Sequence, residues 1–161
     1  MKRLLTFVAI GLFCGGGICG PAPGPPDPDD CNGPMLRAPI DSLELGRGAD
    51  GTFVPIVDGD KVTMTWGPQG GIMLAFRLRV VGDAPPECLQ QSTRVTYMRS
   101  GMPVEDTLDL PLRTYDYGAR TRTTKQAFVI FRESPSSSET EAIVRVEAGG
   151  QTTERRVTLQ R

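Results

Sequence analysis

The sequence predicts an all-β domain, and three observations predict it. Apolar residues recur at every second position through much of the chain after Met35. Glycine, proline and aspartate punctuate these runs at short intervals. No stretch of adequate length carries the period of an amphipathic helix. Some eight or nine short strands at turn-punctuated spacing, ending in a long alternating hairpin, argue for an antiparallel β-sandwich of immunoglobulin-like type, of about eight strands.

The elements follow in order. "SLELG" (Ser42–Gly46) alternates, with Leu43 and Leu45 on one face. "TFVPIV" (Thr52–Val57) is a short apolar run whose Pro55 suits an edge or a bend. After the turn signal Asp58–Gly59–Asp60, "KVTMTW" (Lys61–Trp66) places Val62, Met64 and Trp66 on one face. "IMLAFRLRVV" (Ile72–Val81) is the cleanest half-buried pattern, with Leu74, Phe76, Leu78 and Val80 set against Ala75, Arg77 and Arg79. "TRVTYM" (Thr93–Met98) and "TLDLPL" (Thr107–Leu112) continue the theme. "AFVIF" (Ala127–Phe131) is apolar enough for a central strand, and Glu133–Glu141 reads as a polar loop. "EAIVRVEA" (Glu141–Ala148) and "TERRVTLQ" (Thr153–Gln160), joined through "GGQ", form the closing hairpin.

The N-terminus carries a different message. Lys2 and Arg3 precede the apolar run Leu4–Phe13, and "CGGGICG" follows. Charged, then apolar, then small is the order of a secretory signal peptide, and the run falls short of the about 20 residues that span a bilayer. The expected organisation is a signal peptide over 1–18, a Pro/Gly/Asp-rich tether over 19–35 and the β-domain over 36–161. Cysteine arithmetic favours Cys19 as a lipidation site: cleavage before it discards Cys14 and leaves Cys31 and Cys88 as an even pair in an oxidising compartment. Lipidation at Cys14 strands an odd thiol, and ordinary cleavage after Gly20 leaves the same pair with no anchor. Neither cysteine has leucine at −3 and a small residue at −1. The expected location is therefore the cell envelope, with a lipid as the membrane anchor. A Cys31–Cys88 disulfide is expected to staple the tether to the domain, worth roughly 2–4 kcal/mol by loop-closure entropy.

Charge narrows the partners. The 18 basic residues stand against 19 acidic ones; loss of Lys2 and Arg3 leaves 16 against 19, near −3. Nucleic acid, which needs a concentrated basic face, is not an expected partner. An envelope protein or glycan is.

"FVPIVDGDKVTMTWGPQGGIML" resembles a group of predicted exported proteins and lipoproteins of Gram-negative, myxobacteria-like bacteria. They share the phenylalanine, a D-G-D turn, a strand and then G-P-Q-G-G. The resemblance runs from Phe53 to about Val80 and implies export but no activity. Many of that group carry histidine shortly after the last glycine; Ile72, Met73 and Leu74 stand here, so no metal role is carried over.

Catalytic chemistry finds little support. The chain has no histidine, which removes Ser-His-Asp, Cys-His and histidine-zinc arrangements. Lys61 and Lys125, the lysines beyond the signal peptide, lie in no serine–lysine motif. The carboxylates Asp58, Asp60, Asp106 and Asp109 lie in or beside turns, where aspartate is expected for backbone reasons. The acidic trio Asp27, Asp29 and Asp30 sits in a proline-broken run that holds no coordination geometry, and Met98 with Met102 lacks a companion ligand for copper. No enzyme, cofactor or metal is expected. "GPQGG" lacks the lysine and following helix of a phosphate loop and reads as a tight corner in which Gln69 bonds across the bend. The candidate contact residues are Trp66, Gln69, Arg113, Tyr115 and Tyr117. The last three lie in "RTYDYGARTRTTK", which also reads as a solvated hairpin.

Two functions remain: a non-catalytic, envelope-anchored binding or structural module, and a small-ligand binder, of carbohydrate for example, that stacks its ligand on Trp66 or the tyrosines. Trp66 buried between sheets favours the first, and Trp66 or Tyr115 exposed beside a cleft favours the second.

Overall fold

The computed structural model describes Cys31 and residues 39–49, 51–67, 70–135 and 139–161. These contain ten strands: β1 (Ser42–Arg47), β2 (Val54–Pro55), β3 (Lys61–Trp66), β4 (Ile72–Val81), β5 (Cys88–Arg99), β6 (Met102–Gly118), β7 (Thr121–Thr124), β8 (Ala127–Ile130), β9 (Glu139–Ala148) and β10 (Gln151–Gln160). The all-β expectation is met, and the Ile72–Val81 strand and the closing hairpin lie where alternation placed them.

The architecture differs from the expected sandwich. β4 pairs with β3, and the ladder continues through β10, β9, β5, β6 and β7. β7 then pairs back onto β4, so seven strands close into a barrel. The β3–β10 contact is parallel, through Thr158↔Lys61 to Gln160↔Thr63, so the sheet is mixed rather than antiparallel. The physical reason is the length of β4. Its first half pairs β3 on one edge and β8 on the other; its second half pairs β1 and β7. A strand paired on both edges along both halves leaves no free sheet edge for a sandwich to end on. Barrels and sandwiches share one alternation pattern, so sequence periodicity does not separate them.

Sharing β4 in this way also buries it on both faces. Phe76, Leu78 and Val80 point into the barrel at 0 % exposure, as the alternation requires, but Ala75 and Arg77 on the other face are buried too. The loop after β1 folds over that outer face. Phe53 lies on Gly46, where a Cβ would stand 2.4 Å from the ring, so only glycine admits the ring there. The core is completed by Val62 and Met64 of β3, Val95 and Tyr97 of β5, Val144 and Val146 of β9, and Val157 and Leu159 of β10. Each such side chain contributes about 1.5–3 kcal/mol on full burial.

The D-G-D turn has a structural role. Asp58 accepts the Arg156 N–H at 2.8 Å, the Gly59 N–H donates to the Arg156 carbonyl at 2.8 Å, and the Asp60 carbonyl accepts from Thr158. Gly59, at φ 87, supplies the left-handed residue of the turn. The turn thus docks β3 onto β10 and sets up the parallel pairing. Cys31 and Cys88 are disulfide-bonded with Cα atoms 5.6 Å apart, which ties the incoming chain to the first residue of β5.

One buried polar network crosses the barrel wall. The Tyr97 hydroxyl donates to Asp106 Oδ2 at 3.1 Å and lies against the Glu133 carbonyl, while the Arg132 N–H donates to Asp106 Oδ1 at 3.2 Å. Asp106 is 1 % exposed within β6, not beside a turn as expected. Burial, and secondarily the Asp106 charge, pushes the Tyr97 hydroxyl up from 10.0 to about 12. The folded state therefore keeps a proton that the unfolded chain loses near pH 10. This stabilisation is complete below pH 10 and is lost as pH rises through 12. A difference of that size corresponds to roughly 3 kcal/mol. The stability gap between the natural protein and Tyr97→Phe, measured by urea unfolding, should hold constant to pH 10 and narrow by pH 12. A gap unchanged across that range would exclude the linkage.

Candidate functional site

The most distinctive surface lies where the barrel wall splits. β6 pairs with β5 from Met102 to Arg113 and with β7 only from Thr114 onward. Beyond that point β7 continues into β8 along the same edge of β4. The register slips by one residue between them: Arg79 faces Thr123, whereas Phe76 faces Ala127. The extra residue makes Lys125 and Gln126 a bulge, a device that re-aims side chains. Lys125 Nζ consequently lies 5.4 Å from the centre of the Tyr115 ring, within cation–π range.

Alternation along β6 then sets Arg113 and Tyr115 on the outer face, with Tyr117 as the extra residue of a second bulge, between Asp116 and Gly118. Arg113 and Tyr115 are half-buried, and Tyr117 is exposed with its edge toward the Phe53 ring at 6.5 Å. Between the diverging strands lies a groove of about 220 Å³, lined by Leu110, Pro111, Leu112, Arg113, Tyr115, Thr124, Lys125 and Gln126. Its floor is braced. Arg122 donates to the Thr114 hydroxyl at 2.8 Å and its carbonyl at 2.9 Å, and pairs with Asp116 at 2.6 Å. Directly across the ladder from Arg113 stands Cys88, so the disulfide enters beside the groove.

The structure brings Arg113 and Tyr115 together on the groove, sets Tyr117 outside its lining against Phe53, and leaves Trp66 apart. Trp66 shares the face of Val62 and Met64 by alternation, and of the two outcomes left open for it the structure gives exposure, at 70 %. It ends β3, opposite Ile72, where the strand runs into a hairpin closed by Gly67 N–H to Gly71 carbonyl at 2.7 Å. A strand-end residue has no sheet above it to cover its side chain, whatever its parity. Ile72 and Arg79 are seven residues apart along β4, so the two aromatic sites stand roughly 23 Å apart. "GPQGG" is the β3–β4 corner that the sequence suggested; Gln69 and Cys19 lie outside the described residues.

Sequence reasoning missed other features. β8 was expected to be a central strand, yet among the described residues it pairs with β4 alone, and Phe128 and Ile130 are 37 % and 59 % exposed. A larger groove, about 610 Å³, crosses the outer face of β5 and β9 near Gln90, Ser92, Asp109 and Glu147. Ser92 separates Asp109 from Glu147 in one cross-strand row. Both acids are exposed, and Glu147 is paired with Arg145 at 2.9 Å, which fits a solvated sheet face. Among the described residues no group of histidine, cysteine, aspartate and glutamate side chains is placed to hold a metal ion.

No protein family and no curated protein matches the chain. Among solved structures it is similar to a Pseudomonas fluorescens alkylpurine DNA glycosylase, AlkC, bound to DNA containing an abasic-site analogue. That likeness has 14 % identity and a TM-score of 0.37, and covers 74 % of this chain but 30 % of the glycosylase chain. A likeness of that strength carries no argument about function.

Proposed function

We propose that the protein is a non-catalytic binding module of the cell envelope, held at the membrane by a lipid on Cys19, and that it binds through the groove beside Arg113 and Tyr115. The observation that carries this reading is the convergence of Arg113, Tyr115 and Lys125 around one recess, beside a bulge that re-aims Lys125. Tyrosine and arginine in a partly desolvated setting are the residue types that dominate binding energies. The exposed Trp66 favours a second contact at the opposite end, and a carbohydrate stacked on its ring is the alternative reading.

Two experiments test the proposal. In the producing bacterium, Cys19→Ala should move the protein from the membrane fraction to the soluble one; an unchanged distribution removes the lipid anchor. Chemical cross-linking in intact envelopes should yield an adduct that is lost in the Arg113→Ala/Tyr115→Ala double variant and retained in Trp66→Ala. The opposite pattern would assign binding to the tryptophan. Circular dichroism of both variants establishes that they fold.

A further inference from the structure

We infer that the outer surface formed by Trp66, Met73, Phe128 and Ile130 rests on a lipid bilayer, with Arg132 against the headgroup phosphates; the inference rests on the membrane anchor proposed above. Three observations carry it. The first is continuity of the apolar surface. Ile130 stands beside Met73 across the β8–β4 ladder, and Met73 beside Thr65 across the β4–β3 ladder, next to Trp66. The glycines of the corner let these side chains lie close over the backbone. A Cβ on Gly67 would stand 2.9 Å from Met73 Sδ, and one on Gly71 would stand 3.4 Å from Ile130 Cγ2. Trp66, Ile130 and Phe128 remain 70 %, 59 % and 37 % exposed, and a contiguous apolar patch on a folded domain marks a protein or membrane contact.

The second observation is area, which decides between those two occupants. With an aromatic side chain at about 150–250 Å², the three exposed fractions come to roughly 350 Å². A stable protein interface takes about 800 Å² from each partner, a second copy of this chain included. A bilayer asks for no matching shape, and its hold on inserted side chains scales with their apolar area. Weak contact suffices for a chain already held at the membrane, because a tether raises the effective concentration of the second contact. The segment from Cys19 to Cys31 reaches up to roughly 40 Å. β5, which runs from the disulfide toward the barrel end that holds Trp66, is 12 residues and so also roughly 40 Å long. The tether therefore lets the Trp66 end meet the bilayer that holds Cys19.

The third observation is charge. Phe128, Ile130 and Arg132 are exposed at alternate positions along β8 and just beyond it, while Val129 and Phe131 between them are buried. Arg132 gives its backbone N–H to Asp106, and among the described residues its guanidinium has no ion-pair partner. The adjoining acid, Glu133, is paired with Arg99. An exposed tryptophan and aliphatic side chains flanked by arginine are the composition of a contact with the membrane interface, where the ring sits at headgroup level and the cation meets phosphate.

The test uses the full chain, whose single tryptophan is Trp66, with vesicles of phosphatidylethanolamine and phosphatidylglycerol. Trp66 emission should shift to the blue, and lipids brominated on their acyl chains should quench it. Arg132→Gln should weaken this contact about fivefold, the worth of one basic residue at an anionic surface, and raising the salt should weaken it too. Phe128→Asp/Ile130→Asp should abolish the shift and the quenching; circular dichroism establishes that the variant folds. Trp66→Phe/Ile130→Trp moves the reporter along the patch and should be quenched as well. Unshifted emission with lipid in excess would overturn the inference, whether or not the N-terminus holds the chain on the vesicles, and the lipid anchor would stand. Quenching unchanged in Phe128→Asp/Ile130→Asp would overturn it equally. A blue shift that grows with protein concentration in the absence of lipid would assign the surface to a second copy instead. If Cys19→Ala leaves the membrane fraction unchanged in the producing bacterium, the anchor falls and the quenching of Trp66 decides this surface by itself.

Discussion

Arg77→Met is expected to lower the unfolding free energy by about 3 kcal/mol or more, a large share of the 5–15 kcal/mol typical of a domain. Arg77 is 3 % exposed on the outer face of β4, under the loop between β1 and β2. Its Nε donates to the Thr124 carbonyl at 2.8 Å, and its Nη1 to the carbonyls of Thr52, at 3.0 Å, and Ala49. One guanidinium thus ties the loop over β4 to the end of β7, and hydrogen bonds from a charged donor are worth about 1.5–3 kcal/mol each. Methionine fills much of the volume but removes the charged donor: the Thr52 carbonyl loses its Arg77 bond, while the Ala49 carbonyl keeps the Thr52 N–H and hydroxyl and the Thr124 carbonyl keeps the Thr123 hydroxyl at 3.4 Å. Urea unfolding measures the loss, and hydrogen exchange should show Thr52 and Phe53 opening ahead of the barrel. Arg79→Met is the control. Its partner Glu44 is about a third exposed, a pair worth under about 1 kcal/mol, and the Arg79 guanidinium lies 4.5 Å from the centre of the Phe53 ring, worth about 0.5–1 kcal/mol more, so its loss should stay the smaller. Equal losses in the two variants would refute the clamp.

Reduction of the Cys31–Cys88 disulfide is expected to cost about 4 kcal/mol on the loop-closure estimate, because the bond closes a segment of 57 residues. The closed segment contains β1 through β4, and the residues just before β1 enter the fold on few other ties. Among these, the Ile40 N–H donates to the Gly149 carbonyl at 3.4 Å and the Asp41 N–H to the Val81 carbonyl at 2.8 Å. The hairpin of β9 and β10 lies outside the segment and is joined by ten consecutive residue pairs. Cys31→Ser/Cys88→Ser should therefore lose exchange protection in β1 before β9 and β10. Mass mapping of the protein without reductant should find one bridge between Cys31 and Cys88, and two free thiols there would contradict it. Unchanged stability on reduction would show that the unfolded chain gains nothing from release of the loop.

These two residues show how far the sequence could be read. In "FRLRVV", Arg77 and Arg79 occupy equivalent alternate positions, and both read as solvent-facing. Only the loop that folds back over β4 distinguishes the buried clamp from the half-exposed ion pair. Asp106 is a similar case. Its neighbourhood read as turn-like, yet its carboxylate meets Tyr97 and the Arg132 N–H through a contact made by distant segments. For the groove, alternation in "RTYDY" put Arg113 and Tyr115 on one face, so part of the candidate site was legible. The recess was not, because it comes from the slip in register between β7 and β8 against β4.

The sequence by itself determined most of the elements: eight or nine short strands, the turn residues between them, the closing hairpin and the cysteine pair. Those features are local, or follow from counting, since alternation says which face of a strand is buried whatever covers it. Only the tertiary structure decided the barrel, the parallel union of β3 with β10, the exposure of Trp66 and the burial of Arg77. Each depends on which strand lies beside which, and strand pairing between distant segments is set by the fit of whole faces rather than by any one run of residues.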